Sequence, residues 1–334
     1  MVKAAEMVEL WRGDLLESTH RGHAVICDGT GQIVQAWGDP GRVTYPRSSA
    51  KMLQALPLVE SGAADAFGLT TRQLALSCAS HNGSRLHVDL AGRWLKGLGL
   101  GEPDLRCGVQ EPSDRDERDR LIRGAEAPCQ LHNNCSGKHS GFLTLNRHLG
   151  GDSEYVEIDH PVQRAVRGAI EEVGQEAVAG WGIDGCSAPN FATTLTALAR
   201  SMARFAVATE TGDARQRAMH RLARAMAAHP DLVAGEGEPC TALMRAAGHR
   251  AALKGGAEGV YVAILPAQKL GIALKIEDGS PRAKSAAIAA LLIRVGALEA
   301  GHPLVQTFLP APQRNYRGLV TGEVRLADGF ARRM

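Results

Sequence analysis

Alternating and continuous apolar stretches lie at both ends of the chain and predict β-strands there. Near the N-terminus these are MVELWRG, GHAVICD and QIVQAWG, and the last two flank DGTG, a sequence typical of hairpin turns. Near the C-terminus, GVYVAILP and KLGIALKIEDG predict an antiparallel pair, and VTGEVRLAD predicts a final strand. The predicted strands therefore come from the two ends of the chain.

The middle of the chain has apolar residues at helical spacing instead. TTRQLALSCAS opens with threonines that can cap a helix, LHVDLAGRWLKGLG is amphipathic and stops at glycine, and HPVQRAVRGAIEEVG has proline in its first turn. Further helices are predicted near residues 191–208 and 213–228, and an alanine-rich one near 282–299. The charged stretch EPSDRDERDRLIRG predicts a solvated loop or the start of a helix.

This order of elements predicts an α+β fold. N- and C-terminal strands would share one antiparallel sheet with flanking helices, and a helical middle region would pack beside it. We expect a single domain over residues 1–334, with a sheet part at approximately 1–45 and 250–334 and a helical part at approximately 46–249. The segment GTGQIVQAWG does not follow the dinucleotide-binding pattern GxGxxG, so the sequence does not indicate a doubly wound nucleotide fold.

The composition and net charge of the chain limit the classes of molecule that it is expected to bind. Hydrophobic residues make up 44% and charged residues 22% of the chain, as is ordinary for globular proteins, and a net charge of +2 does not indicate nucleic acid. The apolar runs are too short to span a bilayer, and MVKAAEMVELWRGD lacks the apolar core of a signal peptide. Seven cysteines, an odd number, argue against a disulfide framework. We expect a cytoplasmic protein without nucleic-acid or membrane partners.

The segment YPRSSAKMLQALPLVESG places Ser48 three residues before Lys51, a spacing that puts both side chains on one face of a helix. A serine hydroxyl becomes a nucleophile when a base takes its proton, and a lysine can be that base in its neutral form, which burial and nearby cations favour. Ser49, two residues before the lysine, points elsewhere. The alternative is a helix cap beside a surface lysine, because Ser-x-x-Lys occurs in many chains.

Two further segments favour the catalytic interpretation. SHN at residues 80–82 follows a predicted helix, and KGG at residues 254–256 directly precedes a C-terminal strand. Serine β-lactamases and penicillin-binding proteins have Ser-x-x-Lys and Lys-Thr-Gly elements, and the order and strand context here resemble theirs.

Two cysteine-containing segments predict a metal site. LHNNCSGKHSGFL contains Cys135, Lys138 and His139, and WGIDGCSAPNF contains Asp184 and Cys186. Cys-x-x-Lys places both side chains on one side of a helical turn, and two thiolates with a nitrogen ligand suit zinc. A lysine ligand must lose its proton, so metal binding would depend on pH. Two core cysteines beside glycine-rich turns are the alternative.

Together, YPRSSAK, CASHNGS, HNNCSGKHSGFL, DGCSAPNF and KGGAEGVY resemble the Rhizobium etli-type L-asparaginase family over roughly residues 5–325. The resemblance implies a serine β-lactamase-like fold and hydrolysis of the small molecule L-asparagine to L-aspartate and ammonia. It also implies two Ser–Lys tandems, a nearby zinc ion and a homodimer.

The resemblance implies roles for individual residues. The implied catalytic tandems are Ser48 with Lys51 and Ser80 with Lys254. The implied zinc ligands, completed by water, are Cys135, Lys138 and Cys186. The residues implied to lie beside substrate or metal are Arg47, His139, Asp184 and Asn82, and Cys240 matches a cysteine near the site. Among neighbouring lysines, Lys254 is preferred over Lys269 and Lys275 because it alone lies in the glycine-rich motif.

Other functions stay open from the residues themselves. One is a β-lactamase-like serine hydrolase or peptidase on another acyl substrate, although Ser–Lys catalysis requires no cysteine cluster. A second is a zinc hydrolase in which Ser48 only caps a helix. A third is a zinc- or amino-acid-binding protein without catalysis. The preference between asparagine and glutamine depends on pocket shape and is not predicted.

Overall fold

Strands from the two chain ends form one antiparallel sheet in the computed structural model, which describes residues 2–331. The strands are β1 (Ala5–Arg12), β2 (Leu15–Asp28), β3 (Ile33–Trp37), β4 (Val43–Thr44), β5 (Gly180–Ile183), β6 (Pro189–Thr194), β7 (Ala252–Gly255), β8 (Val260–Leu265), β9 (Leu270–Ile276), β10 (Ala311–Arg314) and β11 (Val320–Leu326). The main sheet has the order β10-β11-β1-β2-β9-β8-β7, and β3 pairs with β2. The predicted α+β class is therefore confirmed.

The register of the main sheet confirms both predicted hairpins. β2 pairs antiparallel with β3, and β8 pairs antiparallel with β9 from Val260↔Lys275 to Leu265↔Leu270. β2 also pairs with β9, from Gly22↔Ile276 to Asp28↔Leu270. Strands β8 and β9 are almost wholly buried, which explains their nearly continuous apolar sequences.

The helices mostly match the predicted segments. They are α1 (Lys51–Gln54), α2 (Leu56–Glu60), α3 (Ala63–Ala66), α4 (Thr71–Ser77), α5 (Arg85–Gly97), α6 (Arg115–Arg123), α7 (Ser136–Leu149), α8 (Pro161–Gly174), α9 (Leu195–Val207), α10 (Ala214–Ala228), α11 (Pro230–Val233), α12 (Pro239–Ala246), α13 (Pro281–Arg294) and α14 (Pro303–Gln306). Thr70 caps α4 in a capping box with Gln73, and Asp114 caps α6, so the charged stretch is a helix. Within residues 2–331, no helix has the length and apolar character needed to cross a membrane.

One of two structural units contains the main sheet and comprises residues 2–49, 193–207 and 242–331. Helix α9 packs on β9, β2 and β8. The approach is close, because a Cβ atom added to Gly271 of β9 would lie only 2.0 Å from the backbone nitrogen of Ala203. Helix α9 therefore belongs to the same unit as the strands on which it packs.

The other unit comprises residues 50–192 and 208–241 and is mainly helical. Helix α4 packs on α7 and α10, and α5 is joined to α7 by a hydrogen bond from Trp94 Nε1 to Thr144 Oγ1 of 3.0 Å. A Cβ atom on Gly137 would lie 2.4 Å from the Leu76 carbonyl oxygen, so only glycine lets the first turn of α7 lie against the end of α4. Residues just after the end of α4 and at the start of α7 belong to the candidate site.

The sequence pattern did not predict the hairpin of β5 and β6. The two strands pair from Gly180↔Ala192 to Ile183↔Pro189, and residues 184–188 join them. β5 has the sequence GWGI, in which two glycines hide the alternation that identifies a strand. The joining loop contains Asp184 and Cys186, so the hairpin positions two residues of predicted function.

We expect Gly271→Ala to lower the free energy of unfolding by about 2 kcal/mol or more, because the added methyl group forces α9 away from the sheet. Gly168→Ala is the matched control, since a Cβ atom there meets nothing within 4 Å and the residue lies inside α8. Alanine favours a helix, so the control should gain up to about 1 kcal/mol. Equal urea midpoints for the two variants would contradict the close approach of α9.

Candidate active site

Ser48 lies in a 3-10 turn, Arg47–Ala50, rather than in one α-helix with Lys51, because α1 begins only at Lys51. Arg47 has φ of 52°, in the left-handed region that non-glycine residues rarely adopt, and such strain is often found at functional sites. The buried Ser49 donates its hydroxyl to the Pro46 carbonyl at 2.6 Å, whereas Ser48 is half-buried. Ser49 therefore stabilises the turn, and Ser48 is the serine available for chemistry.

In the same unit, the KGG segment lies directly against this turn. A Cβ atom on Gly256 would lie 2.7 Å from the Pro46 carbonyl oxygen and 3.2 Å from the Ser49 nitrogen. Lys254 is buried in β7, and Lys284 donates a hydrogen bond to the Gly256 carbonyl. Glycine at position 256 therefore permits the end of β7 to contact the backbone that holds Ser48.

In the helical unit, Lys51 is buried and its amine has three oxygen partners. Nζ donates to the carbonyls of Ala79 and Asn134, the latter at 3.4 Å, and lies 2.9 Å from Ser80 Oγ. Carbonyl oxygens only accept hydrogen bonds, so two N–H groups of the amine are directed at them. The third position faces the Ser80 hydroxyl, with a proton in the ammonium form and a lone pair in the neutral form.

Ser80 is held by the backbone on both sides. Its N–H donates to the Val233 carbonyl at 2.9 Å, and the N–H of His81 donates to the Asn134 carbonyl at 3.2 Å. The His81 ring lies between Gly83 N–H, 3.1 Å from Nδ1, and Ser136 Oγ, 2.9 Å from Nε2. The Ser80 loop is therefore fixed to the start of α7.

The predicted metal ligands come together in the helical unit. Cys135 directly precedes α7, Lys138 is in the first turn of that helix, and Cys186 is in the β5–β6 loop. Lys138 Nζ donates to Cys186 Sγ at 3.0 Å, and all three side chains are buried. The structure thus joins two segments that lie 48 residues apart in the chain.

The charges in this cluster depend on one another. A hydrogen-bonding interaction with Cys135 holds the pKa of Cys186 well below its usual range, and the Lys138 charge acts in the same direction. The pKa of Cys135 is correspondingly raised, first by this bond to Cys186 and then by burial. Burial alone would lower the pKa of Lys138, but the thiol charges of Cys186 and Cys135 outweigh it and the net direction is upward. Cys186 therefore loses its proton more readily than Cys135.

His139 is presented to the cluster in one tautomer. Tyr155 Oη accepts from the Arg106 N–H at 2.8 Å and lies 2.9 Å from His139 Nδ1. Burial raises the pKa of Tyr155, so the phenol keeps its proton. Its O–H group donates a hydrogen bond to Nδ1 of His139. The remaining proton of the neutral ring is then on Nε2, which is buried and is the nitrogen left to interact with Cys186. Burial also lowers the pKa of His139 to about 4, which keeps the ring neutral.

The donor set fits zinc only with lysine as a ligand. Across the described part of the chain, no group of three or more His, Cys, Asp or Glu side chains could hold a metal ion. Cys135 and Cys186 provide two sulfur donors, and the Lys138 nitrogen already contacts one of them. Two thiolates and one nitrogen are a suitable set for zinc, leaving a position for water. His139 is a hydrogen-bond donor toward the site in the tautomer described above.

The structure does not unite all the predicted residues in one unit. Ser48, Arg47 and Lys254 belong to the sheet unit, and Lys51 and Ser80 belong to the helical unit. The pairs Ser48–Lys51 and Ser80–Lys254 therefore stay predictions, while Lys51 and Ser80 are in contact.

The other predicted residues, Asn82, Asp184 and Cys240, differ in their hydrogen-bond partners and burial. Asn82 donates through Nδ2 to Asp114 at 3.1 Å and accepts from the Ser84 N–H at 3.2 Å, so its amide already stabilises the loop. Asp184 Oδ1 accepts from the Gly185 N–H at 2.7 Å and acts electrostatically on Lys138. Cys240 is buried in α12. Substrate-binding roles for Asn82 and Asp184 stay predictions.

Several residues of the site were not identified from the sequence. Asn134 offers only its backbone carbonyl to Lys51, and Tyr155 acts through His139 from a segment without a motif. Lys284 supports the glycine segment from α13. The signal for Gly256 was present in the KGG motif, but its contact with the serine turn depends on tertiary structure.

Comparisons with known proteins agree with the motif content. The family model described as L-asparaginase II matches residues 8–326. No curated protein matches the chain.

Solved structures give distant similarities. The native structure of Mglu has a TM-score of 0.47 and 11% identity, over 82% of this chain and 63% of Mglu. A β-lactamase from Mycobacterium bovis has a TM-score of 0.44 and 14% identity, over 82% of this chain and 94% of its own. A D-alanine carboxypeptidase from Burkholderia cenocepacia has a TM-score of 0.38 and 15% identity, over 83% and 91% respectively.

We expect Tyr155→Phe to release the His139 tautomer, because the phenol proton no longer occupies Nδ1. Nitrogen NMR of histidine-labelled protein should show the proton on Nε2 in the wild type and a mixture in the variant. The Arg106 N–H also loses its acceptor, so unfolding should become about 1–2 kcal/mol easier. Tyr316→Phe, at an exposed tyrosine, is the control. A wild-type proton on Nδ1 would contradict the assignment.

Proposed function

The chain belongs to the L-asparaginase II family and is an enzyme of asparagine hydrolysis, and we propose that it cleaves the side-chain amide through a serine–lysine acyl-enzyme beside a zinc site. The match over residues 8–326 supports the reaction. The contact of Lys51 with Ser80 is the observation that supports the serine–lysine mechanism.

The surroundings of Lys51 support its role as a base. The carbonyls of Ala79 and Asn134 accept two N–H groups of the Lys51 amine and fix its direction. In the neutral amine, the same two carbonyls take both N–H groups and leave the lone pair toward Ser80. The site thus accommodates both protonation states of Lys51 without rearrangement, as an acid–base group requires.

In the proposed reaction, Ser48 attacks the amide carbon of asparagine, and its proton passes to neutral Lys51 by way of the Ser80 hydroxyl, which the Lys51 lone pair faces. Backbone N–H groups at the turn that contains Ser48 stabilise the negative oxygen that forms. The C–N bond breaks as the leaving nitrogen takes a proton from Lys254 through Ser80, and ammonia departs. Water then cleaves the ester and gives its proton to Lys254, while Lys51 returns its proton to Ser48 and aspartate is released.

The substrate's α-carboxylate and α-amino group need separate partners. Arg47 is suited to a carboxylate because its planar guanidinium can donate two parallel hydrogen bonds. Asp184 is suited to the ammonium group. The Nε2–H of His139, which interacts with Cys186, is a further donor that could bind a substrate oxygen. These three residues are the proposed binding groups.

Cys135, Lys138 and Cys186 would hold the zinc ion, with water as the fourth ligand. Bound there, zinc would supply a Lewis acid and a positive charge for a substrate oxygen. We assign it to substrate positioning and affinity rather than to the bond-breaking step, because the serine–lysine groups account for nucleophile and base. Assembly as a homodimer and a cytoplasmic location complete the proposal.

We expect Ser48→Ala to reduce ammonia release from L-asparagine by about 10⁴-fold or more, because the nucleophile is lost. Ser48→Ala combined with Lys51→Ala should be little worse, since residues that act as one unit are not additive. The measurement is kcat for ammonia release from L-asparagine and L-glutamine.

Ser49→Ala is the matched control for this series. It removes the neighbouring hydroxyl and only the bond to Pro46, so kcat should change far less than in Ser48→Ala. Wild-type kcat in Ser48→Ala would exclude Ser48 as the nucleophile. No ammonia from either amide with the wild-type protein would instead indicate another acyl substrate or a binding function.

For the metal, we expect about one zinc per chain in the reconstituted wild type and a large loss in Cys186→Ser. Cys27→Ser, a buried cysteine of the sheet unit, should retain it. Elemental analysis gives the stoichiometry, and the melting temperature should rise with zinc only where zinc binds. Removal of zinc should raise KM more than it lowers kcat. A fall in kcat at constant KM would contradict the positioning role.

A further inference from the structure

Two buried polar atoms of the helical unit, Asn146 Oδ1 and His160 Nε2, have no hydrogen-bond partner among residues 2–331. Asn146 lies in the last turn of α7, and His160 directly precedes α8. The exposed fractions of the two residues are only 7% and 6%. Buried polar groups of native proteins are almost always hydrogen-bonded to protein or to ordered water, so this pair of atoms indicates a bound molecule.

The other polar atom of each side chain defines what the unpartnered atom can do. Asn146 Nδ2 donates to the Asp152 carbonyl at 2.7 Å, so the oxygen of this amide is the atom that is left to accept. His160 Nδ1 accepts from the Val162 N–H at 3.1 Å, so the proton of the neutral ring is on Nε2. One acceptor and one donor therefore remain.

Gly151 lies against both atoms. A Cβ atom added to Gly151 would lie 2.4 Å from Asn146 Oδ1 and 2.7 Å from His160 Nε2. The two atoms are therefore no more than about 5 Å apart, although they do not form a hydrogen bond with each other. One water molecule spans such a separation with two hydrogen bonds of ordinary length. Glycine at position 151 keeps a side chain out of this space.

Asp152 adds a third group at the outer edge of the same space. Its Oδ1 is 3.7 Å from His160 Nε2, which is too long for a direct hydrogen bond. The same oxygen accepts from the Glu154 N–H at 2.9 Å, and a carboxylate oxygen can accept a second bond. A molecule held here would meet one donor, at His160, and two acceptors, at Asn146 and Asp152.

This set of groups selects the class of ligand. A metal ion would need a lone pair on His160 Nε2, which carries the proton while Nδ1 accepts from Val162. An anion would face the carboxylate of Asp152 and the amide oxygen of Asn146. A small neutral molecule that accepts one hydrogen bond and donates two satisfies all three groups, and buried water molecules typically make about three hydrogen bonds.

We propose that Asn146, His160 and Asp152 form a binding site for one internal water molecule, which joins the end of α7 to the start of α8. The site fixes residues 151–160, the segment that carries Tyr155. Gln163 Nε2 holds the same segment by donating to the Tyr155 carbonyl at 2.8 Å. The proposal is independent of the amidohydrolase mechanism, because the site requires neither substrate nor zinc.

The first test is a high-resolution crystal structure of the wild-type, full-length protein, which does not depend on the folding of a variant. We expect one density peak at about 2.7–3.2 Å from both Asn146 Oδ1 and His160 Nε2, without anomalous signal. A direct hydrogen bond between these two side chains, an empty space between them, or density for a metal ion would each overturn the proposal.

The second test counts long-lived internal water molecules in solution by magnetic relaxation dispersion of water oxygen-17. We expect about one fewer in Gly151→Ala, whose methyl group fills the space, and in His160→Asn, which lacks the Nε2–H. Asparagine is a favourable residue at the start of a helix, so His160→Asn retains a cap for α8. Gly168→Ala is the control in the same helix and should keep the wild-type count, because a Cβ atom there meets nothing within 4 Å. A wild-type count in both test variants would contradict the site.

Discussion

The burial of the Lys51 amine is the constraint on which the arrangement of the helical unit depends. An amine withdrawn from water must find oxygen partners, and here they come from the end of one helix and the residues before another. The Ala79 carbonyl follows α4, and the Asn134 carbonyl precedes α7. The close approach of Gly137 to Leu76 brings those two ends together. The packing of α7 against α4 and the hydrogen bonds of the Lys51 amine therefore require the same positions of the two helix ends.

The sequence predicted the fold class and most elements, because hydrophobic period and turn residues are local signals. The hairpins of β2 with β3 and β8 with β9 are clear examples. Two motifs from separate segments also contain residues that are in contact, since Lys138 donates to Cys186, while their role as zinc ligands stays a prediction. What could not be predicted depends on contacts between distant segments. The partner of Lys51 is one such case, because a backbone carbonyl has no sequence signature.

The position of the proton on a histidine ring also depends on contacts that the sequence does not reveal. His139 is visible in a motif, but its tautomer is set by Tyr155, which in turn is oriented by the backbone of Arg106. The β5–β6 hairpin was missed because glycines conceal its alternation, although it delivers Cys186. The residue types at the site can therefore be predicted from the sequence. Which atom of each residue carries a proton depends on neighbouring residues, such as Tyr155, that belong to no motif.

One peptide group, between Asn134 and Cys135, connects the hydrogen bonds of Lys51 with those of the cysteine loop. The carbonyl of Asn134 accepts from Lys51, and the N–H of the same planar unit, at Cys135, donates to Asn133 Oδ1 at 2.9 Å. A rotation of that plane would disturb the lysine and the thiol together. A substitution that moves either one is therefore expected to alter the other, and placing the proposed serine–lysine pair on a different scaffold would require moving the cysteine loop with it.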